Sequence, residues 1–178
     1  MRLVMLILSL IVVSACRVPA TSDAQGELRS ARTQSERFYA LGSAAKDSFE
    51  TGRIDEARSQ AKELEGITSQ FLGNWNYGNA IQDANVVLGR IALREGKVDE
   101  AKSHLIKAGN SPGSPQMDTF GPNMALARDL LLVGEREVVI EYFRLCRKFW
   151  DHERGQLELW EKQVEKGEIP AFGPNLVY

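Results

Sequence analysis

Three short segments of this chain repeat one another, and that repetition constrains the fold more than any other feature. They are Thr51-Gly52-Arg53-Ile54-Asp55-Glu56-Ala57, Glu95-Gly96-Lys97-Val98-Asp99-Glu100-Ala101 and Val133-Gly134-Glu135-Arg136-Glu137-Val138-Val139. In each, a glycine follows one stretch of helical apolar spacing and precedes another. A glycine just past a helix end accepts the left-handed backbone that terminates the helix. Acidic residues in the following first turn suit the dipole of a second helix. The spacing therefore predicts an antiparallel helical hairpin, made three times, in an all-α chain.

The flanks of the second unit carry a resemblance. Leu88-Gly89 precedes Gly96, and Ala101, Leu105, Ala108 and Pro112 follow it. This resembles the tetratricopeptide repeat, with its Leu-Gly pair in the first helix, Ala-bulky-Ala in the second, then Pro. The first unit supplies Leu41, Ala44, Ala45, Ala57, Ala61 and Leu64, and the third Leu126, Ala127, Val139, Phe143 and Cys146. Residues 38–153 carry the resemblance. The glycines lie 44 and 38 residues apart (52 to 96, 96 to 134), against a family period of roughly 34, so the repeats are degenerate with long connections at 71–78 and 109–119. The resemblance implies a solenoid of about three helical hairpins that binds an extended peptide or partner helix along its first helices. A last helix reaching about Lys166, with Asp151 as its N-cap, is expected to cap the array, Leu157, Trp160 and Val164 facing inward and Glu158, Glu161, Lys162 and Glu165 outward.

The N-terminus has a different character. Met1-Arg2 supplies one charge, and residues 3–13 are apolar apart from Ser9. The run is short for the roughly 20 residues of a membrane-spanning helix and fits a signal-peptide core. It ends in Val13-Ser14-Ala15-Cys16, which resembles the bacterial lipobox. The resemblance implies a signal peptide over residues 1–15, acylation of Cys16 and anchoring by more than one acyl chain. Arg17 in place of aspartate points to the outer membrane, with the domain facing the periplasm. Residues 16–27, small, polar and interrupted by Pro19 and Gly26, are expected to be the lipidated tether. The repeat domain is expected over residues 28–168 and a tail over residues 169–178. With Cys16 acylated, Cys146 has no disulfide partner and reads as a core thiol. The tail holds Phe172-Gly173-Pro174-Asn175-Leu176, an echo of Phe120-Gly121-Pro122-Asn123-Met124.

Composition enters through exclusion. A net charge of −2 over 178 residues gives no electrostatic reason to expect nucleic acid or anionic headgroups as partners. His104 and His152 are isolated from metal-binding spacings, and no phosphate loop, nucleophile elbow or Cys-His arrangement is visible, so neither enzyme activity, cofactor nor metal is expected. Two candidate binding features remain. Lys46, Arg90 and Arg128 occupy equivalent places in the three first helices, with Arg94 one turn after Arg90. Together they form either a basic stripe for an acidic segment of another envelope protein, or solvated charges paired with neighbours such as Asp47, Asp83 and Asp129. Asn74-Trp75-Asn76-Tyr77-Gly78-Asn79 either presents Trp75 and Tyr77 as binding surfaces, or tucks them under the repeat junction with Asn79 capping the next helix. The resulting expectation is a lipid-anchored protein-binding scaffold or assembly accessory of the cell envelope; a self-associating structural lipoprotein and a small-molecule or glycan binder are the alternatives.

Overall fold

A computed structural model describes residues 23–177 as a chain of α-helices joined by turns, with no strand among them. Three hairpins follow one another: α2 (Gln34–Glu50) with α3 (Ile54–Thr68), α4 (Tyr77–Arg94) with α5 (Val98–Gly109), and α7 (Ala125–Leu132) with α8 (Arg136–Cys146). The first helices lie side by side, α2 on α4 and α4 on α7, while α3 packs on α4 and α5 on both α7 and α8. This is the all-α hairpin architecture expected from the repeats.

Each hairpin turns in the same way. Gly52, Gly96 and Gly134 have φ of +80°, +75° and +90°. The residue after each glycine donates its N–H back to the first helix: Arg53 to Ser48 O at 2.8 Å, Lys97 to Ala92 O at 2.9 Å and Glu135 to Leu130 O at 3.0 Å. That bond satisfies a terminal carbonyl and reverses the chain, which only a residue tolerant of left-handed backbone permits cheaply. Small residues then let the helices close. Ala44, Ala57, Ala61, Ala84, Ala101, Ala108 and Ala127 are fully buried, and Leu64, Leu105 and Phe143 fill the space between them. At Gly89 an added Cβ would come within 2.3 Å of Leu126 Cδ2, so the glycine lets Leu126 of α7 seat directly against α4. Cys146 is fully buried beside Tyr142; burial raises its thiol pKa and keeps it an apolar core group.

Four expectations need correction. Residues 23–27 are not tether: α1 (Asp23–Ser30) starts at Asp23 and packs on α2, because buried Gln25 donates to Ala44 O at 2.8 Å and Ser48 Oγ at 3.0 Å and accepts from Gln60 at 3.0 Å. The 109–119 connection contains a helix, α6 (Pro115–Phe120), capped by Ser114, whose Oγ accepts from Met117 N at 3.0 Å. Asp151 does not cap the last helix. It begins a 3₁₀ turn, and α9 (Gln156–Glu165) starts after Gly155, still burying Leu157, Trp160 and Val164. Finally, the tail expected outside the repeat domain packs into it over residues 169–177. Phe172 is 2% exposed, and its ring meets Trp160 at 4.9 Å and Phe143 at 6.2 Å.

The two Phe-Gly-Pro-Asn copies meet in space. Asn175 Nδ2 donates to the carbonyls of Phe120 at 2.9 Å and Pro122 at 3.0 Å, and Met124 N donates to Asn175 O at 2.7 Å. The later copy thus hydrogen-bonds the backbone of the earlier one at the entrance to α7. Gly121, at φ +88°, lies under Trp150 and Asn175, both within 2.6 Å of where its Cβ would be. Below this junction Gln82 Oε1 accepts from Asn123 N at 2.8 Å, Gln82 Nε2 donates to Tyr142 Oη at 3.2 Å, and Tyr142 donates to Asn123 O at 2.8 Å. These buried bonds tie the second hairpin to the third.

His104 is a core group, its Nδ1 2.8 Å from Asn85 Oδ1. Burial holds its pKa below the ordinary 6.5, Lys107 adding to the effect and Glu65 and Glu100 opposing it. The unfolded chain accordingly binds a proton that the fold resists. This stability is present above about pH 6.5 and lost as pH falls through the depressed folded value. Exposed His152 has the opposite sign, since Asp118 raises its pKa and the pair strengthens as pH falls. The expected result is a melting temperature that drops between about pH 7 and pH 5, with a shallower drop in His104→Gln. Circular dichroism at several pH values measures it; equal slopes in the two proteins contradict the assignment.

Candidate functional site

The first helices place their charged positions on one face. Lys46, Arg90 and Arg128 come from α2, α4 and α7, and all three line a single groove of about 440 Å³. Phe49, Val86, Val87 and Ala125 contribute its apolar surface, and Leu176 and Val177 of the C-terminal segment contribute to the same lining. Sequence separation across the three cations is collapsed by hairpin stacking, as the repeat register requires.

The three cations are not equivalent. Lys46 is paired with Asp83 at 2.9 Å. Arg90 is held on two sides, its Nε 2.8 Å from Asp129 and its Nη1 against Glu50, with 15% of its side chain exposed. Arg128 is the most available. Its side chain is 43% exposed, and among the described residues its one ion pair is a 3.5 Å contact with Asp129, a carboxylate already engaged by Arg90. Its Nε is buried, with no hydrogen-bond partner among the described residues. What an incoming oxygen can reach is the exposed part of the Arg128 guanidinium. So the paired-charge expectation describes Lys46 and Arg90, and the groove expectation describes Arg128 best. Arg94 is brought elsewhere: its guanidinium lies 3.9 Å from the Phe49 ring centroid, alongside that of Arg90 at 4.4 Å, and it does not line the groove.

A second cavity, about 320 Å³, lies on the other side of the Lys46–Asp83 pair and shares Lys46 with the first. Trp75 lines it; Tyr77, half-buried as the first residue of α4, does not. Trp75 does not tuck beneath the repeat junction. It is 58% exposed and stacks on Tyr39, with ring centroids 5.8 Å apart and planes at 23°. Asn79 does not cap α4 either. It sits one turn in, accepting from Ser114 Oγ at 2.6 Å and donating to Asn76 at 2.9 Å and Gln116 at 3.1 Å. Sequence reasoning missed Tyr39 and the α6 residues Gln116 and Phe120 here, because their partners lie 35 or more positions away.

Among the described residues no group of three or more His, Cys, Asp or Glu is placed to hold a metal ion, and no helix is long and apolar enough to cross a membrane. The lipobox and Cys16 lie outside the described residues. Comparisons with protein-family models, curated proteins and solved structures return no match. The groove and basin therefore stand on their own chemistry.

Proposed function

We propose that this chain is a lipid-anchored protein–protein interaction module of the bacterial cell envelope, whose first-helix face takes an acidic, partly apolar segment of another envelope protein. One observation carries the proposal: Lys46, Arg90 and Arg128 line one groove with an apolar floor, and Arg128, its side chain 43% exposed, is the most available of the three. Carboxylates on an extended peptide would meet Arg128 while aliphatic side chains cover Val86, Val87 and Ala125. The anchor rests on Val13-Ser14-Ala15-Cys16, and the outer-membrane, periplasm-facing location on Arg17. In this role the protein is a scaffold or assembly accessory, and binding alone is asked of it.

Self-association is the other way to use a hairpin array, and α9 argues against it. Its outward residues Glu158, Lys162 and Glu165 are exposed, with Leu159 the one large apolar side chain among them. A polar end face of this kind terminates stacking.

The test is a peptide array of extended 12-mers varying in acidic and aliphatic content, followed by titration of the best binder. Acidic-aliphatic peptides are expected to bind, and Arg128→Gln to weaken them roughly tenfold, the scale of one charge-assisted hydrogen bond. Neutral or basic peptides binding equally well, or unchanged affinity in Arg128→Gln with helicity intact, would overturn the proposal.

A further inference from the structure

The basin beyond Lys46 has a chemistry the basic groove lacks. Its rim carries two aromatic rings with exposed faces, Trp75 at 58% and Tyr39 at 41%. Large aromatic rings are usually mostly buried, and one left open on a loop is normally mobile. Trp75 is instead held in place. Asn74 Nδ2 donates to Tyr39 Oη at 2.7 Å, fixing the ring on which Trp75 stacks, and Asn74 Oδ1 accepts from Asn76 N at 2.9 Å, closing the turn before α4.

The same basin is lined with amides. Asn79, pinned by Ser114, donates to the carbonyl oxygens of Asn76 and Gln116. Those two residues spend their acceptors on Asn79, which leaves their –NH₂ groups as donors toward a ligand. The Lys46–Asp83 pair adds a donor and an acceptor.

We infer that this basin is a saccharide-binding site, taking a mono- or disaccharide unit of a glycan against Trp75. A pyranose ring has an apolar C–H face edged by hydroxyls that both donate and accept. It matches a flat indole beside amide donors and a carboxylate. A purely apolar side chain would leave those amides desolvated without partners, a cost of about 1–3 kcal/mol each. The volume of about 320 Å³ lies at the small end of the roughly 300–1,000 Å³ range of small-ligand sites, which suits one or two rings. This site shares Lys46 with the peptide groove but not Arg128, so a change at Arg128 separates the two.

The experiment titrates the full chain, held in detergent, with triacetylchitotriose, cellotriose and maltotriose while following the tryptophan indole N–H signals by NMR. Trp150 and Trp160 are buried and serve as internal references. At least one sugar is expected to move the Trp75 signal in a saturable way and leave the other two in place. Trp75→Ala should weaken that binding about tenfold or more and Gln116→Ala several-fold, while Arg128→Gln leaves it unchanged. A Trp75 signal that none of the sugars moves overturns the inference. So does sugar binding retained within about twofold in Trp75→Ala, or a proline-rich peptide that moves the signal when sugars do not.

Discussion

Replacing Gly78 with alanine is expected to cost at least about 3 kcal/mol of folding stability, a large share of the roughly 5–15 kcal/mol that holds an ordinary domain together. Helix propensity argues the other way. Gly78 is the second residue of α4, and alanine there would gain about 1 kcal/mol on propensity alone. Sterics decides the sign. A Cβ on Gly78 would lie 1.9 Å from the carbonyl oxygen of Gly113 and 2.4 Å from its carbonyl carbon. Both are backbone atoms, so no rotamer change relieves the overlap. The Gly113 loop has nowhere to retreat, because Gly113 stands at φ +81° with Phe149 Cβ only 2.5 Å from where its own Cβ would be. Ser111 also bonds the loop to Gly78 O at 2.9 Å. Urea titration measures the loss; a change below about 1 kcal/mol would mean the 110–114 loop is not seated on α4. That seating also sets α6, and with it Gln116 and Phe120, against the basin.

Phe172→Ala is expected to destabilise the fold by about 3–5 kcal/mol, the cost of emptying a well-packed aromatic site. The ring is 2% exposed and closes the cluster of Phe143, Trp150 and Trp160 where α9 meets α8. Its loss also releases the turn that presents Asn175 to the carbonyls of Phe120 and Pro122. Val177→Ala is the control, since that side chain is 81% exposed and its removal should stay within about 0.5 kcal/mol. Equal, small effects of the two substitutions would contradict the packed C-terminal segment.

Local chemistry made the hairpins readable. Gly52, Gly96 and Gly134 sit beside the helices they terminate, and alanines at helical spacing mark the faces that close. The register of those glycines was enough to bring Lys46, Arg90 and Arg128 to one face. What escaped was non-local. Asn175 reaches Phe120 across 55 positions, and no period in the sequence announces that pairing, although the repeated Phe-Gly-Pro-Asn was visible. Buried Gln25 looked like a tether residue because its partners, Ala44, Ser48 and Gln60, belong to other helices. Within the candidate site, charge could be placed by register, but how far each charge was already matched could not. Asp83 and Asp129 lie on neighbouring hairpins, and only their positions separate the tightly paired Lys46 and Arg90 from the more exposed Arg128. The aromatic basin depends on Tyr39 meeting Trp75 across a hairpin, so Trp75 alone was suggestive and its platform was invisible.

The central claim is that Arg128 receives a carboxylate from a bound peptide. The most direct measurement is a double-mutant cycle on the tightest peptide from the array, combining Arg128→Gln with substitution of each peptide carboxylate by its amide. One carboxylate is expected to couple to Arg128 by about 1–2 kcal/mol, while the others change affinity independently of it. Coupling indistinguishable from zero at every carboxylate, or no peptide bound at all, would contradict the account.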